Sequence, residues 1–342
     1  MYRVGVIGLG NIAEGYGSPE GKASYCHVGG ILYSENVELA AVADLSEDRL
    51  NNFRTKWGGA FPDTKYYNGA DAMMDTEKLD IVAVCVRGPA HHAMMLDIIK
   101  AGPKSIFLEK PPSCSLAEMD DVVAAAKNAG IPITVSYSRH WAPHVKRMEE
   151  LVKDGLIGDV KMVVGYCGGS FLSFASHTTD MICQFTNYRP KAITATCEPG
   201  KDTQPGYEPE PGVVGMLIEF DGGLTGIQIG DGGEHGGMTC DIIGSKGRAR
   251  VGMYIPPFAS NKDGEIDLAK HDMPARDAAS VFTTAYDQIA RYLDGAGPLP
   301  DCTDSDFVAV HELGFGGIES ALTGRRITLP NASRSRRIFA NG

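Results

Sequence analysis

A β-branched run, Val4-Gly5-Val6-Ile7, leads without a break into Gly8-Leu9-Gly10-Asn11-Ile12-Ala13, and this junction limits the folds open to the chain more than any other feature. In a GxGxxA turn the first glycine allows the tight bend, the second lets the backbone approach a pyrophosphate, and the small last residue lets helix pack on strand. Taken alone, the motif suits a plain tight connection equally well. Further strand-like runs at 37–43, 81–86, 105–108 and 131–136, with helically spaced apolar residues between several of them, predict a parallel sheet with helices on both faces. The clearest helix is 116–129. Leu116, Met119, Val122, Val123, Ala126 and Ala129 form its stripe, Ser115 and Glu118 a capping box at its start, and Gly130 with Pro132 its stop.

After about residue 138 the rhythm changes. A helix is expected near 144–154, and then alternating strands joined by hairpin signals. Asp221-Gly222-Gly223 separates 213–220 from 224–229, and Gly244 to Gly247 separates 239–243 from 249–251. Two helical patterns follow, one with Phe282, Tyr286, Ile289 and Leu293 on a face and one over 304–322. A length of 342 residues suits two domains better than one core. The expected architecture is α/β: an N-terminal Rossmann domain with a parallel sheet at 1–138, then a C-terminal α+β domain with a large, mainly antiparallel open sheet at 139–330. Residues 331–342, rich in Arg, Ser and Asn, read as a mobile tail.

The formal charge is -11, from 32 Lys and Arg against 43 Asp and Glu, which argues against a broad grip on nucleic acid or an anionic membrane. No apolar run approaches the roughly 18 residues of a membrane span, and Met1 to Arg3 lead straight into a strand with no secretory leader. The eight cysteines never fall as CxxC, so neither a zinc ribbon nor a disulfide framework is read and a reducing cytoplasm is expected. The 42 glycines exceed the usual share of about 7%. They mark the GxGxxA turn, the hairpins, and pairs such as Gly29-Gly30 and Gly168-Gly169 expected around a cleft. Gly314, Gly316 and Gly317 fall inside a predicted helix and imply close packing there.

Two carboxyl ends of strands carry chemistry. Asp44 ends the second strand, where a carboxylate reaches the adenosine ribose, although the following Leu45-Ser46-Glu47-Asp48 also suits it as a helix N-cap. An acid there disfavours a 2'-phosphate and so favours NAD, while Ser46 and Arg49 keep NADP open. The distance from Gly8 to Asp44 exceeds the usual figure of about 20 residues, which predicts an extended first crossover. Later, Glu109-Lys110-Pro111 follows a strand. A lysine desolvated at this edge can join proton transfer, and a solvated loop lysine is the plainer alternative.

The GxGxxA turn, Asp44, Glu109-Lys110-Pro111 and the Ser-Ala-x-x-Gly-x-x-x-x-x-Pro ending from Ser320 to Pro330 together resemble the Gfo/Idh/MocA family, named for glucose-fructose oxidoreductase, inositol dehydrogenase and rhizopine catabolism proteins. The resemblance runs over essentially the whole chain. It implies a metal-free oxidoreductase that uses NAD or NADP on hydroxyl or carbonyl groups of sugars and cyclitols. It also implies a homodimer or homotetramer formed through the C-terminal sheet. By the same resemblance Lys110 is the active-site lysine, and the cofactor is held by Gly8, Gly10, Asn11, Ile12, Asp44, Arg87, His91, Glu109 and Lys110. Arg139, His140 and Trp141 enter the substrate cleft, Trp141 being equally suited to core packing. The Asp-x-x-x-His of inositol dehydrogenases falls on Ser173 to His177, so His177 is kept and the aspartate is Ser173. Asp180, three residues after His177, stands on the same face of a helix and is the candidate replacement. His235 is a further substrate candidate.

The expected function is hydride transfer between nicotinamide and a secondary hydroxyl or carbonyl of a sugar, sugar derivative or cyclitol, with Lys110, His177 and Asp180 as the catalytic group. The alternatives are a sugar-sugar oxidoreductase that keeps its cofactor bound, and a non-catalytic dinucleotide-binding regulator.

Overall fold

The structure is a computed structural model describing residues 1–21, 23–230 and 237–341. In chain order its first elements are β1 (Tyr2–Ile7), α1 (His27–Leu32), β2 (Val37–Ala43), α2 (Glu47–Trp57), β3 (Lys65–Tyr67) and α3 (Ala70–Thr76). β4 (Ile81–Val84), α4 (His91–Ala101), β5 (Ser105–Leu108), α5 (Leu116–Ala129) and β6 (Ile133–Val135) follow. Then come α6 (Pro143–Lys153), β7 (Val160–Tyr166), α7 (Ser176–Gln184), β8 (Pro190–Glu198), β9 (Glu208–Pro209), β10 (Gly212–Phe220) and β11 (Thr225–Ile229). The order closes with β12 (Thr239–Gly244), β13 (Gly247–Gly252), β14 (Phe258–Asn261), β15 (Gly264–Glu265), α8 (Val281–Leu293), α9 (Ser305–Thr323), β16 (Ile327–Thr328) and β17 (Ile338–Phe339).

Among the described residues, β1 to β6 make one sheet in the order β3-β2-β1-β4-β5-β6, parallel at every pairing. This is the doubly wound order, whose direction reverses between β1 and β4, and ligands of such sheets bind outside the carboxyl ends there. Helices cover both faces, so the strands need apolar residues on both sides. Accordingly β4 and β5 are buried at every position. The first crossover is long, as its spacing predicts. A single π-helical turn at Asn11–Gly15 follows the glycine turn, and α1 begins only at His27. Lys56 Nζ donates to Glu14 O at 2.8 Å and Trp57 Nε1 to Glu14 Oε2 at 3.0 Å, tying that turn to the end of α2.

Among the described residues, nine of the remaining strands make a second sheet, and in β10, where the pattern is most regular, side chains alternate inward and outward, as a sheet with one covered face requires. Their order is β15-β14-β13-β12-β7-β11-β10-β8-β16 among the described residues, antiparallel except for β7 with β11. In β10, Met216, Ile218 and Phe220 are buried while Leu217 and Glu219 are exposed. α9 lies on the covered face, and its glycines permit the approach the sequence implies. A Cβ on Gly316 would stand 3.1 Å from Ile193 of β8, and one on Gly317 2.6 Å from Phe171.

The chain packs as two compact units. One comprises Met1–Pro112, Glu118–Trp141 and Asp277–Asp304, and the other Ser113–Ala117, Ala142–Arg276 and Ser305–Gly342. Two consecutive blocks divided at 138 therefore do not describe the packing. α8 returns to the first unit because its apolar face, Phe282, Ala285, Tyr286 and Ile289, is fully buried there beside α1. For the same reason Gly30 borders packed structure and no cleft: a Cβ on it would lie 2.8 Å from the backbone carbon of Phe282. Residues 331–341, expected as a mobile tail, run as a strap. β17 pairs with β9, Ile338 and Ala340 are fully buried, and Ile338 N donates to Cys114 O at 2.9 Å.

Candidate active site

The first unit brings five segments to the carboxyl edge of its sheet: the turn after β1, Asp44 after β2, Arg87 after β4, Glu109-Lys110 after β5 and 136–141 after β6. Gly8 sits at φ 87°, and a Cβ on it would lie 2.9 Å from the Cys85 carbonyl oxygen, so both the backbone angle and the space require glycine. A Cβ on Gly10 would meet nothing within 4 Å. Among the described residues, the N–H groups of Asn11 and Ile12 make no protein hydrogen bond, and they start a helical turn. Open space and free donors together fit a pyrophosphate.

Asp44 is braced to this turn. One carboxylate oxygen accepts from Leu9 N at 2.8 Å and the other from Ser46 N at 2.8 Å, with Arg49 Nη1 3.5 Å from the first. The N-cap of α2 is Ser46, whose hydroxyl accepts from Arg49 N, so Asp44 does not spend itself as the cap. Each of its oxygens retains lone-pair capacity toward a ribose. Arg87 is exposed at the end of β4.

Glu109 is buried, and its carboxylate faces His27 Nε2 at 3.0 Å, while His27 Nδ1 faces the Tyr286 hydroxyl at 2.9 Å. Both ring nitrogens of His27 thus have a partner, one in a carboxylate and one in a hydroxyl. Burial pushes the Glu109 carboxyl up. The His27 bond and charge, with the charge of Lys110, more than reverse this, so Glu109 titrates below its usual value. Burial pushes the phenol of Tyr286 well up. His91 is fully buried, with Nδ1 2.7 Å from Pro111 O and Nε2 3.0 Å from Val86 O. Burial lowers its pKa against the pull of both carbonyls. The side chain is thus a brace between the ends of β4 and the Lys110-Pro111 segment, with no exposed edge for a cofactor.

Of the three residues after Ser138, Arg139 is half-buried, donating to Ser138 Oγ at 2.9 Å and lying 5.2 Å over the ring of Tyr25. His140 is buried with Nε2 3.6 Å from Asp301 Oδ2. Trp141 is entirely buried. Its Nε1 donates to Gln288 Oε1 at 3.0 Å and its ring stands edge-on to Phe107, which resolves the two readings of Trp141 in favour of core packing.

In the second unit, His177 and Asp180 lie on α7, both buried. The Asp180 carboxylate accepts from the Tyr188 hydroxyl at 2.9 Å. Ser173, in the turn ahead of α7, donates its hydroxyl to Glu210 Oε2 at 2.5 Å. A carboxylate therefore stands beside position 173, supplied from a residue 37 positions away. His235 lies outside the described residues. Sequence reasoning missed Tyr25, His27 and Glu210. The length of the first crossover was a signal for the first two, whereas nothing local marks Glu210.

Residues 2–137 match the model of an oxidoreductase family with an NAD-binding Rossmann fold, GFO_IDH_MocA. Myo-inositol 2-dehydrogenase of Thermotoga maritima is 24% identical over 262 residues, 72% of this chain and 74% of the relative. Among solved structures, levoglucosan dehydrogenase in complex with NADH and levoglucosan superposes with TM-score 0.76 at 14% identity, covering 96% of this chain and 100% of the other. Aldose-aldose oxidoreductase from Caulobacter crescentus gives 0.74 at 20%, covering 96% and 99%. At these identities the structural likeness is one of fold.

Proposed function

We propose that this chain is an oxidoreductase of the Gfo/Idh/MocA family, whose model its residues 2–137 match, and that it moves a hydride between a nicotinamide cofactor and a secondary hydroxyl or carbonyl of a sugar, sugar derivative or cyclitol. The observation that carries the reading is the convergence of an open glycine turn, a braced Asp44 and Glu109-Lys110 on one carboxyl edge of a parallel sheet. Gly8, Gly10, Asn11, Ile12 and Asp44 hold the dinucleotide, and the bound nicotinamide supplies the hydride acceptor or donor. In the oxidative direction His177 takes the hydroxyl proton and Lys110 stabilises the developing alkoxide. An acidic side chain at Asp44, facing the ribose, favours NAD over NADP. Replacing it by serine removes charged hydrogen bonds of about 1.5–3 kcal/mol, so NAD affinity falls about ten- to a hundredfold relative to NADP.

The test is a panel of polyols, aldoses and sugar acids with both cofactors, followed by nicotinamide absorbance. Lys110→Met lowers turnover by about 10²–10⁴-fold while NAD(H) binding, read by fluorescence titration, stays at the wild-type level. Near wild-type turnover in Lys110→Met removes the proposal.

The uncovered face of the large sheet supports a homo-oligomer. Leu217, Ile229 and Ile243 are 46%, 39% and 40% exposed. The strand register sets Leu217 opposite Ile227, Ile229 opposite Tyr166 and Ile243 opposite Met162, which makes one apolar patch of the kind that marks an interface. The bidentate Arg250–Asp241 and Arg326–Glu219 pairs carry both charge signs on the same sheet, as a self-complementary two-fold contact requires.

A further inference from the structure

We infer that Glu210 is a positioning residue for His177, clamping the turn from which α7 starts; the inference rests on reading His177 as part of the active site. The N-cap position of α7 is Ala175, which offers no side-chain acceptor. Polar anchoring of this helix start therefore comes from further upstream. One carboxylate provides it. Glu210 Oε1 accepts from Leu172 N at 2.6 Å and Ser173 N at 2.8 Å, and Oε2 accepts from Ser173 Oγ at 2.5 Å.

The clamped turn is held on two further sides. Val213 N donates to Gly169 O at 2.9 Å and Phe171 N to Pro211 O at 3.2 Å, so the residues flanking Glu210 run alongside the turn. Beneath it, Phe171 and Leu172 rest on the backbone of α9 at Gly317 and Gly314. The link to the helix is short. Ser176 Oγ donates to Leu172 O at 2.7 Å, Thr179 N to Ala175 O at 3.0 Å and His177 N to Phe174 O at 3.3 Å. A shift of residues 172–173 therefore passes into the backbone that carries the imidazole. Glu210 is itself seated by the strap, because Glu208 N donates to Arg337 O at 2.8 Å in the β9–β17 pairing.

The clamp works through shape. Glutamine reproduces the acceptor for both N–H groups and keeps a partner for Ser173, whereas aspartate is one methylene too short to reach all three. In the full-length protein, Glu210→Ala and Glu210→Asp lower kcat by about ten- to a hundredfold, as a misplacement of up to about 1 Å does, with KM little changed. Glu210→Gln recovers most of the loss and keeps the wild-type pH profile of kcat. A second readout needs no substrate. The ring Cε1–H resonance of His177, assigned by its disappearance in His177→Gln, moves in Glu210→Ala and returns to its place in Glu210→Gln. Ser173→Ala breaks one of the three bonds and shifts that resonance in the same direction by less, which carries the test if Glu210→Ala does not fold. An unmoved resonance in both Glu210→Ala and Ser173→Ala overturns the inference, and so does a Glu210→Gln protein that behaves like Glu210→Ala, since charge would then be the agent. A moved resonance in a protein that turns over no polyol keeps the clamp and rejects the dehydrogenase reading.

Discussion

Glu109 is a buried carboxylate whose pKa is held down chiefly by the His27 imidazole. If His27 is replaced by leucine, burial acts on Glu109 against only the Lys110 charge and the Ser136 bond, and its carboxyl rises. Above the usual carboxylate range the variant then takes up a proton on folding, so the mutational loss grows with rising pH and shrinks as pH falls toward that range. Removing one partner of a buried pair costs about 3–5 kcal/mol, and urea unfolding at neutral and mildly acidic pH reads both the size and the sign. In the wild type, the stabilising contribution of Glu109 is complete above its usual value of 4.5 and is lost as pH drops through its lower folded value. Lys110 and Asp44 stand out in the sequence as candidates because strand-end positions in a parallel sheet have fixed chemical meaning. His27 was not, because its role depends on which residues a tertiary fold stacks against a helix start, and Tyr286 arrives from 259 positions away.

At the scale of elements, local pattern was a good guide wherever a capped stripe or a turn signal existed. The helix read at 116–129 forms at those residues, and the patterns read at 213–220 and 304–322 form within a residue at each end. The capless α7 is read less well from sequence, since its start depends on Glu210 from another segment. α9 carries a pH signature of its own. His311 is fully buried, its Nε2 donating to Ser113 Oγ at 2.9 Å while Ser113 donates to Ser115 O. Burial, aided by the Arg334 charge, pushes it down to about 3. The unfolded chain therefore binds a proton from about pH 6.5 downward that the folded one refuses until about 3. Stability falls with acidification across that window at about 1.4 kcal/mol per pH unit from this group. His311→Gln, which keeps the bond to Ser113, flattens the pH dependence of the urea midpoint by that amount, and an unchanged slope contradicts the assignment.

For the whole molecule, the interleaving of the two compact units was not legible in the sequence, because amphipathicity says that a helix buries a face without saying where. The open sheet makes a further prediction: Leu217→Asp places a charge in the centre of the patch and converts the proposed oligomer to monomer, measured by sedimentation velocity. A Leu217→Asp protein that keeps the wild-type mass contradicts this interface. α8 bears on how the protein comes into being. The ribosome delivers the whole parallel sheet long before Val281–Leu293 exists, so Phe107, Trp141 and His27 wait without the Tyr286 and Gln288 that meet them in the finished unit. The nascent dinucleotide half is thus greasy and incomplete for most of its synthesis, a natural client for a chaperone. A gene fragment cut after Trp141 would yield a sticky intermediate, lacking the helix that lets the unit stand alone.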